Sequence, residues 1–510
     1  MDILLHLIDG FAIAFEPLNL LLVIVGCAMG LFIGAMPGLG SVNGVAILLP
    51  MTFLVPPTGA IIFLAAIYYG AMYGGAISSI MLGIPGASTA VATTFDGRPM
   101  ALAGKADEAL ITAAGASFIG GTISVVLFTA FAPPLASVAL AFGAPEEFAL
   151  MLLAFATFVG LGGDDIPKTL FSIFIGLALS AVGLDIISDE PRLIFGDIPG
   201  FFHGINFLVL AIGIYGIGEM LWTIETSQDG VTVSQAKFTF KSILGHVKNL
   251  KKSLKTSIMG SGLGYFVGIL PAAGATPGSI MAYGVAKQMS KDPKSFGKGN
   301  PEGVAAPESA NNAASTGSML PMLTLGIPGS PTTAILLGGM VIWGLEPGPM
   351  LFINHQEFVW GLIASLYIAN IFAMLINMAF IPAFVGVLKT PFTILAPIIF
   401  VLCLVGGFAP TQSLHDVWLM LIFGVMGYLM RKLDYPLAPA VLAIVLGPIA
   451  ETSMRQSLLI SDGEFSIFFG FSERPIASAI TWVAVFLIVL PLIQLINRKR
   501  KASKATHWQG

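Results

Sequence analysis

The amino-acid sequence predicts an all-α polytopic membrane protein: about 12 helical segments in two inverted-topology repeats, with broken or re-entrant helices. Three observations lead there. Of 510 residues, 56% are hydrophobic and only 10% charged, against roughly 25% charged in a soluble globular chain. Continuous apolar stretches recur at about the length that crosses a bilayer. An internal duplication carries opposite loop charge in its two copies.

Composition excludes several classes. A mean hydropathy of +0.89 over this length leaves a membrane bundle. The 24 Lys and Arg are too few and too scattered for a nucleic-acid surface. The net charge of -4 carries little weight, because in a membrane protein charge position matters more than charge sum. Cys27 and Cys403 sit in apolar runs without metal-ligand spacing and read as small core residues. The first 20 residues lack a basic n-region and a small-residue cleavage site, so no removable signal peptide is expected.

The apolar stretches at 109–131, 146–161, 206–222, 357–388, 391–408 and 476–496 are unbroken. An outer-membrane barrel would instead alternate apolar and polar residues in segments of about 10. Helices follow, since a helix satisfies its own backbone in lipid.

The duplication is read from Gly and Pro landmarks. GLFIGAMPGLGSVNG at 30–44 aligns with GYFVGILPAAGATPG at 264–278, matching Gly30, Gly34, Pro37, Gly40 and Gly44 with Gly264, Gly268, Pro271, Gly274 and Gly278. LGIPGASTA at 82–90 aligns with LGIPGSPTTA at 325–334. Weaker echoes pair Pro133 with Pro382 and Leu184-Asp185 with Leu433-Asp434. The expected organisation is a first repeat at 1–227, a basic linker at 228–257, a second repeat at 258–497 and a tail at 498–510.

Charge sets the expected threading. Lys237, Lys241, Lys248, Lys251, Lys252 and Lys255 put the linker in the cytoplasm, and NRKRKASK at 497–504 follows it. Residues 1–97 hold no Lys or Arg, which puts the N-terminus outside. Equivalent loops then differ in charge. LVPPTG at 54–59 is neutral where half two has Lys287, Lys291, Lys294 and Lys298; Arg98 and Lys105 face a cation-free 344–356; Asp185, Asp189 and Glu190 face Arg431 and Lys432. This path leaves Arg192, Arg455 and Arg474 outside. Half one then needs an odd number of crossings and half two an even number. Residues 436–450 supply the extra one, because their counterpart 191–204 is short and polar.

The four Gly/Pro elements are the expected site. Proline removes a helix donor and glycine lets the chain unwind, so 37–44, 82–89, 271–278 and 325–333 should interrupt their helices. Broken backbone within a membrane is tolerated where protein buries it or a wet cavity lines it. Each break exposes a helix N-terminus suited to a carboxylate, and carbonyls suited to a cation. The substrate-binding candidates are Gly38, Gly40, Ser41, Gly86, Ser88, Thr89, Gly274, Ala275, Gly329, Ser330, Thr332 and Thr333. The cation-binding candidates are Asn43, Thr276, Asn311, Asn312 and Ser315. The hydroxyls also fit a plain capping role. The stretch APESANNAASTGS at 306–318, with Glu308, fits either ion coordination or interhelical hydrogen bonding. Asp96 and Glu451 read as membrane-interface residues. No Lys or Arg lies within the breaks, so a co-bound Na⁺ or H⁺ is expected to offset substrate charge.

These motifs resemble the large membrane subunit of the tripartite tricarboxylate transporter family, the TctA type. The match rests on GLFIGAMPGLG at 30–40, YGGAISSIMLGIPGASTA ending at 90, GYFVGILPAAGATPG, ESANNAA at 308–314 and LTLGIPGSPTTA at 323–334, in an order that covers nearly the whole chain. The resemblance implies ion-gradient-driven uptake of carboxylates such as citrate across the bacterial inner membrane, without ATP hydrolysis. It also implies two partners, a small membrane subunit of TctB type and a periplasmic solute-binding protein of TctC type. No enzyme activity and no organic cofactor are expected. A channel and an intramembrane aspartyl enzyme using Asp185 and Asp434 are the competing readings. A GxxxxGK[ST] motif, which a nucleotide-driven pump would need, is absent.

Overall fold

The computed structural model describes residues 2–36, 38–161, 165–185, 188–196, 198–226, 250–271, 273–387, 392–408 and 411–506. Pro37, Ala272 and most of the basic linker (228–249) lie outside the described residues. The linker's last cations, Lys251, Lys252 and Lys255, open a helix.

The first half supplies α1 (Asp2–Ala14), α2 (Pro17–Ala35), α3 (Gly40–Leu48), α4 (Pro57–Met81), α5 (Val91–Leu102), α6 (Ala106–Ala139), α7 (Ala144–Leu161), α8 (Ile166–Ser180) and α9 (Phe207–Thr226). The second half supplies α10 (Leu250–Ile269), α11 (Ala275–Met289), α12 (Glu302–Leu325), α13 (Pro331–Ile342), α14 (Gln356–Val387), α15 (Phe392–Phe408), α16 (Leu414–Lys432), α17 (Leu437–Ile460) and α18 (Pro475–Thr506). Strand among the described residues is confined to a hairpin pairing Gly183–Leu184 with Pro191–Arg192.

Among the described residues seven helices, α2, α4, α6, α9, α14, α16 and α17, are long and apolar enough to cross a membrane. The six apolar stretches of the sequence fall on α6, α7, α9, α14, α15 and α18. Residues 191–204 form hairpin and turns, short of a crossing. The chain is a multi-pass membrane protein. Its outward helix faces carry bulky apolar side chains such as Leu21, Val401, Ile422 and Phe486, which lipid accepts and water does not.

By packing, the described residues fall into two compact units: Met1–Leu140 with Leu208–Leu270 and Gly274–Leu429, and Ala141–Phe207 with Pro271–Ala273 and Met430–Gly510. Each unit draws on both halves of the sequence.

Within the first unit the duplication is visible in the packing. A side chain at Gly30 or Gly34 of α2 would strike the carbonyls of Ile67 or Ala71 of α4 at 2.2 and 2.3 Å. At Gly264 or Gly268 of α10 it would strike the carbonyls of Ala310 or Ala314 of α12 at 2.2 and 2.4 Å. The same glycines let the same pair of backbones meet in both halves, as small residues do between membrane helices. The copies run in opposite directions. Tyr68, Tyr69 and Met72 of α4 bond Ser318, Thr316 and Asn311 of α12, one series rising as the other falls. α4 and its equivalent α12 are therefore antiparallel, as inverted repeats require. α4 is buried from Gly59 to Met81, and the polar α12 is buried with it.

In the second unit α8 lies parallel to α17. Lys168 Nζ donates to the Leu433 carbonyl at 2.7 Å, Gly176 sits on the Ala440 carbonyl and Gly447 on Ser180. At the far end Asp185 and Glu451 share Arg192 and Arg455, with contacts of 2.6–3.2 Å, which anchors the hairpin. This geometry disposes of an aspartyl pair. Asp185 meets Arg455, whereas Asp434 precedes the first turn of α17, roughly 30 Å away at 1.5 Å per helical residue.

Candidate functional site

All four Gly/Pro elements break their helices. α2 ends at Ala35 and α3 begins at Gly40, with Gly38 and Gly40 at φ +85° and +62°. α10 ends at Ile269 and α11 begins at Ala275, with Gly274 at φ +69°. α4 and α12 end at Met81 and Leu325, followed by Gly83 and Gly326 at φ +76° and +71°. Left-handed glycine closes α12 by αL capping: the Gly326 and Ile327 N–H groups donate to Met322 and Pro321.

The breaks meet. Within half one, Gly86 lies on the Gly34 carbonyl and Gly40 against Ala87. Within half two, Gly329 lies on the Gly268 carbonyl, and the Gly274 N–H donates to Gly329 O at 2.9 Å. Across the halves, Ser41 and Thr332 share a hydrogen bond of 3.0 Å, Thr276 donates to Ser88 at 3.2 Å, and Ser279 donates to the Thr89 carbonyl at 2.8 Å. The substrate candidates therefore form one cluster.

The cluster is not symmetric. Ser330 caps α13 with a reciprocal box: its Oγ accepts from Thr333 N at 3.2 Å, and Thr333 Oγ1 accepts from Ser330 N at 2.9 Å. Ser330 also meets Tyr68 and Ser318, and the group is buried. Its counterpart in half one is Ala87, which caps nothing. α3 and α11 likewise begin without a side-chain cap, at Leu39 and Gly274. Ser88 is exposed and Thr89 and Thr276 are half-buried, whereas Leu39, Gly40 and Ser41 are buried, so the first three breaks start uncapped and the second and third are the accessible ones. A nearby cavity of about 540 Å³, lined by residues such as Phe32, Met36, Leu39 and Phe380, offers a carboxylate no donor.

The cation candidates divide. Asn43 donates to the Gly38 carbonyl at 3.2 Å and Thr276 joins Ser88, so both belong to the breaks. Asn311, Asn312 and Ser315 stand on α12 with Glu308; Ser315 donates back to Asn312 O at 2.7 Å.

Several residues have partners that the sequence does not reveal. Glu219 of α9 is buried, and its Oε1 would lie 3.3 Å from a side chain at Gly38, so the first break faces an acid. Tyr68, Tyr69 and Tyr73 bind the halves together, Tyr73 donating to Asn370 Oδ1 at 2.6 Å. The signal was three phenols in one apolar span. Asp96, expected at a membrane boundary, is fully buried. Its carboxylate accepts from the N–H groups of Gly297, Lys298, Gly299 and Asn300 and from the Tyr283 hydroxyl, at 2.7–3.1 Å. Those donors replace water. Glu451 belongs to the hairpin's ion cluster.

Residues 20–442 match the tripartite tricarboxylate transporter TctA family. The chain belongs to that family. It is 37% identical over 507 residues to an uncharacterized 52.8 kDa protein in the TAR-I ttuC' 3' region of Agrobacterium vitis, covering 98% of each chain. It is 35% identical over 237 residues to an uncharacterized protein in the TAR-II ttuC' 3' region of the same organism, covering 46% of this chain and 97% of the relative. No solved structure matches it. Membership of the TctA family makes the chain a membrane component of a transporter and disfavours the enzyme reading. The four meeting breaks are this TctA-family chain's own candidate site.

Proposed function

We propose that the chain carries a small carboxylate, such as citrate or another di- or tricarboxylate, across the bacterial inner membrane, driven by a Na⁺ or H⁺ gradient. It does so as the large subunit beside a small membrane subunit of TctB type, with a periplasmic solute-binding protein of TctC type delivering the substrate. The N-terminus lies in the periplasm, and the basic linker and C-terminus lie in the cytoplasm. The supporting observation is the meeting of four broken helices, three with uncapped N-termini, in segments that themselves hold no Lys or Arg; Arg98 lies beside the second break, donating to the Met81 carbonyl and packing on Gly83. Free N–H groups at a helix start attract an anion. The hydroxyls of Ser41, Ser88, Thr89 and Thr276 orient it, and a co-bound cation offsets its charge. Part of each half then moves against a fixed frame, exposing the cluster to one side and the other.

The test is uptake of labelled di- and tricarboxylates into proteoliposomes holding the full complex, with and without a Na⁺ or pH gradient and the cognate binding protein. Gradient-dependent accumulation is the expected result. Flux indifferent to every ion gradient would remove the coupled mechanism.

A further inference from the structure

Midway along α12, buried acceptors outnumber donors. Glu308 is fully buried. Its carboxylate accepts hydrogen bonds from Thr93 Oγ1 of α5 and, at 3.1 Å, from Ser117 Oγ of α6. Among the described residues no cation pairs with it. One turn on, the Asn311 amide donates to the Met72 carbonyl of α4 at 3.5 Å, and the Asn312 amide donates to the Glu308 carbonyl at 3.1 Å. The Oδ1 of each asparagine is buried and accepts from no donor. At about 100° per residue the two asparagines flank Glu308 by roughly 60° on one side and 40° on the other, so the three share a face.

A buried carboxylate without a counter-charge is costly, and so is each unserved carbonyl oxygen. A proton on Glu308 would add one donor for these acceptors. A cation draws carboxylate, amide and hydroxyl oxygens together. An oxygen-only set with one negative charge neutralises a monovalent ion, whereas a divalent ion would leave a net charge buried. We infer that Glu308, Asn311 and Asn312, with the hydroxyls of Thr93 and Ser117, form a Na⁺ site.

The site also reaches the breaks. Thr93 lies one helical turn beyond Thr89, whose Oγ1 is 4.0 Å from the Met72 sulfur. Met72 is the residue whose carbonyl Asn311 holds. An ion drawing on Thr93 and Asn311 fixes the start of α5, where Ser88 and Thr89 are offered to the carboxylate. That coupling rests on the transport reading above. It requires Na⁺ to tighten carboxylate binding and carboxylate to tighten Na⁺ binding by the same factor.

The experiment is binding of radiolabelled Na⁺ to the purified full-length chain, without carboxylate. Wild-type protein should bind Na⁺ saturably. Glu308→Gln should weaken binding at least tenfold, Asn312→Ala severalfold, and Glu308→Asp should restore part of the loss. Glu451→Gln, in the other unit, should change nothing. Glu308→Gln protein that elutes as folded and binds Na⁺ like wild type would overturn the site. So would wild-type protein that binds no Na⁺ while a pH gradient drives carboxylate uptake, an outcome that makes the carried ion a proton and leaves the transport reading intact. Saturable, Glu308-dependent Na⁺ binding in a complex that moves no carboxylate would sink the transport reading and keep the site.

Discussion

Two glycines, two residues apart on α10, show how much one side chain decides. Gly264 lies on the Ala310 carbonyl, and a methyl group there would sit 2.2 Å from it; Gly262 has nothing within 4 Å. Gly264→Ala should lower the melting temperature sharply, since α10 and α12 must separate to admit it, at a cost of about 1–3 kcal/mol or more. Gly262→Ala should be neutral or stabilise by about 0.4–1 kcal/mol, because helix-interior glycine only adds entropy to the unfolded chain. Thermal melts in detergent decide this; equal shifts would refute the backbone contact. Asp96→Ala removes the acceptor for the 297–300 backbone. Trypsin should then cut at the exposed Lys294 and Lys298 at least tenfold faster than in wild type. An unchanged digest would mean that Asp96 does not hold that loop.

At the scale of the element, each break depends on backbone proximity that larger residues forbid. Pro85-Gly86→Ala-Ala and Pro328-Gly329→Ala-Ala should abolish carboxylate flux while the protein still inserts, since a side chain at Gly86 or Gly329 meets a carbonyl at 1.9 or 2.7 Å. Retained flux would clear those elements of a role. The two second breaks should differ in another way. Ala87→Ser places a hydroxyl where half two has Ser330, and it should cap the half-one helix start as Ser330 caps α13. An added cap stabilises a helix start by about 1 kcal/mol, and here it competes with the bound carboxylate. Apparent affinity should fall severalfold in uptake assays; an affinity unmoved by a correctly folded variant would show that this N-terminus does not touch substrate.

At the scale of the molecule, the fold was largely legible and the site only partly so. Apolar length located α6, α7, α9, α14, α15 and α18, because a helix facing lipid stays apolar over about the thickness of the bilayer. Gly and Pro located the breaks, because their backbone chemistry is local. The meeting of Ser41 with Thr332 and of Ser88 with Thr276 is a tertiary fact, and the sequence could offer only the repeat that makes it possible. The roles of Asp96, Glu219 and Tyr73 were invisible for the same reason: their partners lie far along the chain. The asymmetry between Ala87 and Ser330 stood in the aligned motifs, yet only the built cap gives it meaning.

The phenols of α4 set a schedule for the newborn chain. Tyr68 and Tyr69 are translated 250 and 247 residues before Ser318 and Thr316, and Tyr73 is translated 297 residues before Asn370. At about 5–20 residues per second of synthesis, those hydroxyls wait tens of seconds for their mates. Meanwhile α4 must rest against provisional neighbours, water in the insertion machinery or the membrane surface. The packing of the first half is therefore incomplete until the second has been made.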